Sequence, residues 1–216
     1  QYRYSTFMKN AILLILVLIS SSCASKKSID RKVNTKYKFS EIVKQFDKKN
    51  LNYIGLKKKC VGGVLKEPNK NDCKQCYSKN NIYIFWTDNK KSYVQKFDNC
   101  SEFNIIEIFD FKPGEFLKNN TEKLQTEKVG KYKIAKGTYA SASHSCFRSF
   151  FLNDGKSKYE NKYDVNDLTG KNDNLNYQIN NNLKLVELEK ILNGIIKKLE
   201  KENQFKRNKK TCYNTV

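Results

Sequence analysis

The chain has 216 residues and a formal charge of +20, from 42 Lys and Arg against 22 Asp and Glu, and 38% of it is hydrophobic. That apolar share falls below the roughly 45–50% of ordinary soluble domains and excludes a multi-span membrane protein. The 13 Phe and 13 Tyr exclude a wholly disordered chain, because they can supply a core. Of the basic residues 38 are Lys and 4 are Arg (Arg3, Arg31, Arg148, Arg207), and 26 residues are Asn. Lys, Asn, Ile, Tyr and Phe share AT-rich codons, so codon bias competes with selection as the source of the charge. Arg is the residue suited to bidentate phosphate and base recognition, so its scarcity argues against a nucleic-acid partner. The net charge speaks to solubility and attraction to anionic surfaces, not to fold.

Gln1–Phe7 precedes the only Met and reads as upstream sequence or a gene-boundary artefact. Met8 and Lys9 lead into nine apolar residues, Ala11 to Ile19, then Ser20, Ser21, Ser22 and Cys23. A cation, a short apolar run and small residues form a secretory signal over residues 8–22. Nine apolar residues reach only about 14 Å as a helix, against roughly 30 Å of hydrocarbon, which disfavours a stable span.

Small residues running into a Cys resemble the lipobox of bacterial lipoproteins, with Ser20 and Ser22 in place of the usual Leu and Ala or Gly. The resemblance covers about residues 8–28. It implies cleavage before Cys23, lipidation of the Cys23 thiol and a membrane anchor made of acyl chains. The residues after Cys23 are Ala, Ser, Lys and Lys, without the acidic export tag or the Asp-type retention signal of that family. They imply the outer membrane, facing the periplasm. Residues 23–38 are polar and basic, a flexible tether between lipid and body.

The body is expected over residues 39–203. Phe39–Asn50 reads as a short helix capped by Ser40, with Ile42, Val43 and Phe46 on one face. Leu51–Leu56 reads as a strand and residues 57–81 as mostly loop. Asn81–Trp86 and Ser92–Phe97 alternate as strands around a polar turn, a hairpin. Tyr83 and Phe85 fall on one face, Ile82, Ile84 and Trp86 on the other, which favours a central strand buried on both faces over a binding platform. Phe103–Phe111 reads as a strand and Glu115–Glu127 as a polar helix. Tyr132–Tyr139 and His144–Leu152 read as strands, and Asn153-Asp154-Gly155 turns into Lys158–Tyr163. Residues 164–182 read as irregular. Leu183–Asn203 is the clearest helix: Leu185, Leu188, Leu192, Ile195 and Leu199 form a core-facing stripe, with Glu187, Glu189, Lys190 and Glu200 opposite and Asn181 or Asn182 as cap. Residues 204–216 read as a basic tail.

Apart from Cys23, six cysteines remain: Cys60, Cys73, Cys76, Cys100, Cys146 and Cys212. An even count in an exported chain favours disulfides, with 15 full pairings open. Closure of the loop from Cys60 to Cys73 or Cys76 is one option; bridges from Cys100 or Cys146 to neighbouring elements are others. Cys73 and Cys76 form a CxxC, but no strand-to-helix context surrounds it. Cys60, Cys73, Cys76 and Cys100, with His144 and Cys146, could in principle hold zinc, though the second CxxC of a zinc ribbon is missing.

Catalytic motifs for hydrolases, nucleotide enzymes and metalloproteases are absent from the sequence, and it calls for no cofactor. His144 is the single His. As a strand residue it would point away from Ser143 and Ser145, and Glu107 and Asp110 would face opposite sides of their strand. The sequence therefore predicts an α+β fold, a mostly antiparallel sheet packed by a C-terminal amphipathic helix and a short N-terminal helix. It points to a lipid-anchored, non-enzymatic binding or accessory module meeting an anionic envelope polymer or an envelope protein. The alternative is an envelope enzyme with a non-locally assembled site that includes His144.

Overall fold

A computed structural model of the chain describes residues 35–61, 80–98 and 101–208. The element order is α1 (Thr35–Lys48), β1 (Tyr53–Cys60), β2 (Asn80–Asp88), β3 (Lys91–Phe97), β4 (Glu102–Ile108), α2 (Pro113–Thr126), β5 (Lys133–Ala135), β6 (Thr138–Tyr139), β7 (Cys146–Asn153), β8 (Lys158–Asp164), a 3₁₀ turn (Val165–Leu168), α3 (Tyr177–Asn181) and α4 (Lys184–Lys201). Six strands form one antiparallel sheet in the order β4-β3-β2-β1-β7-β8, and β5 pairs with β6. The fold is α+β, as the sequence pattern predicts.

Strand alternation explains the layering. Ile54, Leu56, Tyr83, Phe85, Val94, Phe150 and Leu152 share one face, where α2 and α4 cover them with Leu117, Leu124, Leu185, Leu188, Leu192 and Ile196. Tyr53, Ile82, Ile84, Trp86 and Phe97 share the other, packed by Ile42, Val43 and Phe46 of α1. The aromatic strand β2 is thus buried from both sides, with Tyr83, Phe85 and Trp86 all in the core.

Turn chemistry closes the hairpins. Asn89 and Lys90 take φ of 48° and 65°, the two left-handed residues that match the twist of the flanking strands. After β7, Gly155 takes φ of 84°, and the Asp154 carboxylate accepts the backbone N–H of Lys156 and Ser157 at 2.9 and 2.7 Å. Burial opposes ionisation of Asp154, but these bonds and the Thr121 hydroxyl hold its carboxyl below the ordinary value.

Several expectations are corrected. Helix α1 begins at Thr35, so Ser40 lies within it rather than at its cap. Strand β1 runs on to Cys60 through Lys57, Lys58 and Lys59, where a loop was expected, because its ladders with β2 and β7 continue there. Pro113 starts α2, its fixed φ and missing N–H being tolerated in the first turn. Tyr132–Tyr139 is a hairpin and not one strand, turned at Gly137 with φ of 78°. Helix α4 has no Asn cap: Leu183 holds the N-cap position, and Glu127 from the end of α2 accepts the Lys184 N–H at 2.6 Å. Residues 204–208, expected as tail, are bonded to the body: the Lys206 carbonyl accepts the Asn104 N–H, the Asn208 N–H donates to the Glu102 carbonyl, and Arg207 forks onto Asp98.

Asn side chains organise the segment read as irregular. Asn180 accepts the Gly130 N–H at 2.9 Å and donates to the carbonyls of Gly130 at 2.7 Å and Asp167 at 2.9 Å. Asn174 donates to the carbonyls of Asp167 and Thr169. Both are buried, and they replace the ladder that this stretch lacks.

Candidate functional site

Helix α1 presses Phe46 onto Trp86 at 5.0 Å between ring centroids, and Tyr93 stacks on the same indole at 5.5 Å. The helix stops short of the outer strands, leaving an open groove of about 510 Å³ between α1 and the β2–β4 half of the sheet. Its floor is apolar, with Trp86, Phe46, Leu51 and Ile105. Ile105 is 55% exposed, although it is an aliphatic residue within strand β4. Polar side chains converge on the rim from four elements and the turn after α1: Glu41 and Gln45 of α1, Lys49 just beyond it, Asp88 of β2, Gln95 of β3 and Glu102 of β4. Gln95 is oriented by a 2.8 Å bond from its Nε2 to the Phe103 carbonyl. Three carboxylates and one ammonium give this groove negative character on a protein of charge +20. An apolar floor with a few convergent polar groups is the general form of a ligand site. With Phe46 and Tyr93 both packed on it, Trp86 is only 6% exposed, so the groove offers mainly acceptor groups around a small apolar surface. Such a lining suits a ligand rich in hydroxyl or ammonium donors.

A second polar cluster lies between the sheet and α4. Arg148 of β7 donates from Nε to Glu189 of α4 at 2.6 Å, and the Tyr163 hydroxyl donates to the other carboxylate oxygen. One helical turn after Ile196, Glu200 accepts from Tyr83 at 2.8 Å and from Lys96 at 2.9 Å. Lys58 reaches over the Tyr83 ring at 5.1 Å. Burial, then the neighbouring Arg148 charge, lowers its ammonium to about 8. Burial and then Glu200 push the Tyr83 phenol well above its ordinary value, and burial and Glu189 do the same to Tyr163. Burial works against the charge on Glu200, but the bonds from Lys96 and Tyr83 prevail and lower its carboxyl. The expected solvent face of α4 is therefore corrected: Glu189 is 7% exposed and enters the core as one half of an ion pair.

The residues singled out in the sequence are dispersed. His144 lies in a bend before β7 and not in a strand; it is exposed, and its Nδ1 is 3.1 Å from the Ser143 hydroxyl. Asp110 lies beyond the end of β4 and pairs with Lys198 at 3.0 Å, while Glu107 pairs with Lys91 at 3.3 Å. Cys60 and Cys146 are bonded to each other across the β1–β7 register, with Cα atoms 4.0 Å apart. This corrects the option of Cys60 closing a short loop with Cys73 or Cys76, and it withdraws Cys60 and Cys146 from any zinc site. Cys23, Cys73, Cys76, Cys100 and Cys212 lie outside the described residues. With one bridge assigned, the pairings open to the last four fall from 15 to 3. Among the described residues no three His, Cys, Asp or Glu side chains gather as metal ligands, and no helix is long and apolar enough to cross a membrane.

The groove escaped sequence reading because its lining comes from four elements spread over 65 residues, from Glu41 to Ile105. The one available signal was Ile105, an extra apolar residue on an otherwise alternating strand. No protein-family model, curated protein or solved structure matches this chain.

Proposed function

We propose that this protein is a lipid-anchored module of the bacterial envelope that binds a ligand in the groove between α1 and β2–β4 and does no covalent chemistry. The groove itself carries the binding reading: it joins an apolar floor to carboxylate and amide acceptors from four elements. Its lining favours a hydroxyl- and amine-bearing glycan over a polyanion. The Cys60–Cys146 bridge supports an oxidising compartment, the setting that a secretory signal and Cys23 lipidation require. An outer-membrane position facing the periplasm follows from the residues after Cys23. The exposed His144, hydrogen-bonded only to its neighbour Ser143 among the described contacts, gives the enzyme reading little support.

Trp86 is the single Trp of the chain and lines the groove, so its emission reports on occupancy. Titration with a glucosamine trimer is expected to shift that emission, and Asp88→Asn with Glu102→Gln to weaken binding by about tenfold, the loss of one charge-assisted bond. An unchanged Trp86 signal, together with no retention on a glucosamine matrix, defeats the ligand assignment. The anchor is tested separately: the protein isolated from membranes should carry acyl mass on Cys23, and Cys23→Ala should not.

A further inference from the structure

The sheet ends in two edge strands of different character. Strand β8 carries a charge at each exposed position, Lys158, Glu160 and Lys162, the usual guard against a stray strand. Strand β4, at the other edge, exposes Ile105 at 55%, and Phe109 directly after it is 83% exposed, the most open large hydrophobic side chain among the described residues. Part of the β4 edge is already occupied. Residues 206–208 run antiparallel to it, with Arg207 bridged to Phe103, the Asn104 N–H donating to the Lys206 carbonyl and the Asn208 N–H donating to the Glu102 carbonyl. That direction takes the chain from Asn104 toward Glu102, away from Ile105.

The rest of this edge has unpaired backbone. The Asp98 N–H donates to the Ser101 carbonyl across the β3–β4 turn, so alternate residues back along β3, Lys96, Val94 and Ser92, bond toward β4. Val94 and Ser92 face Ile106 and Ile108, whose backbone groups are thereby used within the sheet. Ile105 and Glu107 turn theirs outward, and among the described residues no backbone bond reaches them there. A hollow of about 390 Å³ opens where the strand ends, walled by Phe109, Phe111 and Phe116. Residues 97–111 hold Asp98, Glu102, Glu107 and Asp110 and no Lys or Arg, on a chain of charge +20. Arg207 neutralises Asp98, and Glu102 faces the groove. Glu107 with Lys91, and Asp110 with Lys198, form exposed pairs of little worth, which an incoming cation can displace.

A row of free N–H and C=O groups takes an extended backbone, because a strand repeats the same groups at the same spacing. The molecule shows what kind of strand this edge accepts: its resident segment, Lys206-Arg207-Asn208, is basic, and Arg207 lies on the carboxylate of Asp98 in the β3–β4 turn. We infer that the β4 edge from Ile105 to Phe109 is a docking site for an extended basic segment of another polypeptide, which adds a strand to the sheet, sets an apolar side chain at the Phe109 hollow and brings Lys or Arg beside Glu107 and Asp110. The site shares Ile105 with the groove, but it rests on main-chain groups. It therefore does not depend on what fills the groove or on Cys23.

The test is binding of a fluorescein-labelled peptide, Lys-Val-Lys-Val-Lys-Val, to the protein as isolated, read by anisotropy beside the same peptide N-methylated at every residue. The unmethylated peptide is expected to bind. The methylated one keeps the charges but cannot donate, and it should bind about tenfold more weakly or worse. Exchange of the Ile105 and Glu107 amides should slow with the unmethylated peptide alone. Glu107→Pro removes an outward N–H at an edge position, where proline is tolerated, and should weaken binding by about tenfold. Glu107→Gln, which keeps that N–H, should weaken it less. Circular dichroism and Trp86 emission show whether the variants are folded, and if Glu107→Pro is not, the two peptides on the unsubstituted protein decide. Equal binding of both peptides overturns the inference in favour of charge attraction alone. Absence of binding by the unmethylated peptide at millimolar concentration overturns it as well. Slowing of the same amides without peptide, as protein concentration rises, overturns it in favour of edge-to-edge pairing of two copies.

Discussion

Arg148 and Glu189 face each other across the core with Nε 2.6 Å from Oε1, their side chains 17% and 9% exposed. A pair this buried is costly to break, because the remaining charge keeps its desolvation without its partner. Arg148→Met is therefore expected to lower stability by about 3–5 kcal/mol in urea denaturation. The double variant Arg148→Met with Glu189→Leu should lose much less than the two single losses added together, since no charge is stranded. Strictly additive losses would show that the two side chains act independently.

Lys58 should give the fold a distinctive pH profile. Its ammonium titrates near 8 in the folded state against an ordinary 10.5. Between those values the unfolded chain holds the proton and the folded one has released it, so this contribution to stability rises with pH. Below about 8 the penalty of burying the charge is present in full. Lys58→Met is thus expected to stabilise the protein at pH 7, by an amount that shrinks as pH climbs toward 10.5. Tyr53 and Tyr159, both pushed up to about 12 chiefly by burial, act in the opposite sense above pH 10, but both proteins share them. A parent-to-variant difference that stays flat from pH 7 to 10 would refute the role given to Lys58.

The β2–β3 turn carries a removable strain. Lys90 sits at φ of 65°, which costs a non-glycine residue roughly 1–2 kcal/mol. Lys90→Gly relieves that cost, partly offset by the freedom glycine adds to the unfolded chain, for a net gain of about 0.5 kcal/mol. Lys90→Ala should change little. Thermal midpoints of the two variants, measured side by side, decide the matter, and equal midpoints would count against the strain.

Asn180 offers the sharpest isosteric test. Its amide nitrogen faces two carbonyl oxygens, and a carboxylate there would face the same two with no proton to give. Asn180→Asp is expected to cost about 2–4 kcal/mol, from lost bonds and buried charge together. It should also release α3 from the hairpin, raising proteolytic cleavage near residues 174–182 before global unfolding. Resistance equal to that of the parent would contradict the clamp.

Periodicity made β2, β3 and α4 legible, because Tyr83 and Phe85 fall on one face of β2 and Ile82, Ile84 and Trp86 on the other, and Leu185, Leu188, Leu192 and Ile196 recur on one helical face. What stayed illegible depends on partners distant in sequence. Glu189 is an ordinary polar helix residue until Arg148 and Tyr163 meet it from strands 41 and 26 residues away. Leu183 makes an unusual N-cap because the acceptor comes from Glu127 on another helix. The Asn residues look like codon bias in composition, yet Asn153, Asn161, Asn174 and Asn180 are buried and bonded. The groove belongs to the same class: Glu41, Asp88 and Glu102 read singly as solvated charges, and they become a site only when α1 settles on the sheet.

The sheet is two locally built ribbons, β1–β4 and β7–β8, stitched along a single seam where β1 meets β7. Each ribbon pairs strands adjacent in sequence, while the seam joins Cys60 to Cys146 across 86 positions. Contacts at that separation are the slow part of folding. The bridge fastens one end of this seam like a rivet. Unzipping would therefore have to begin at the other end, where Tyr53 faces Asn153, and there Asp47 of α1 takes bonds from both Asn153 and Lys158. The oxidised protein is thus guarded at both ends of this seam, and reduction would leave the ladder between the two ribbons fastened only at its α1 end.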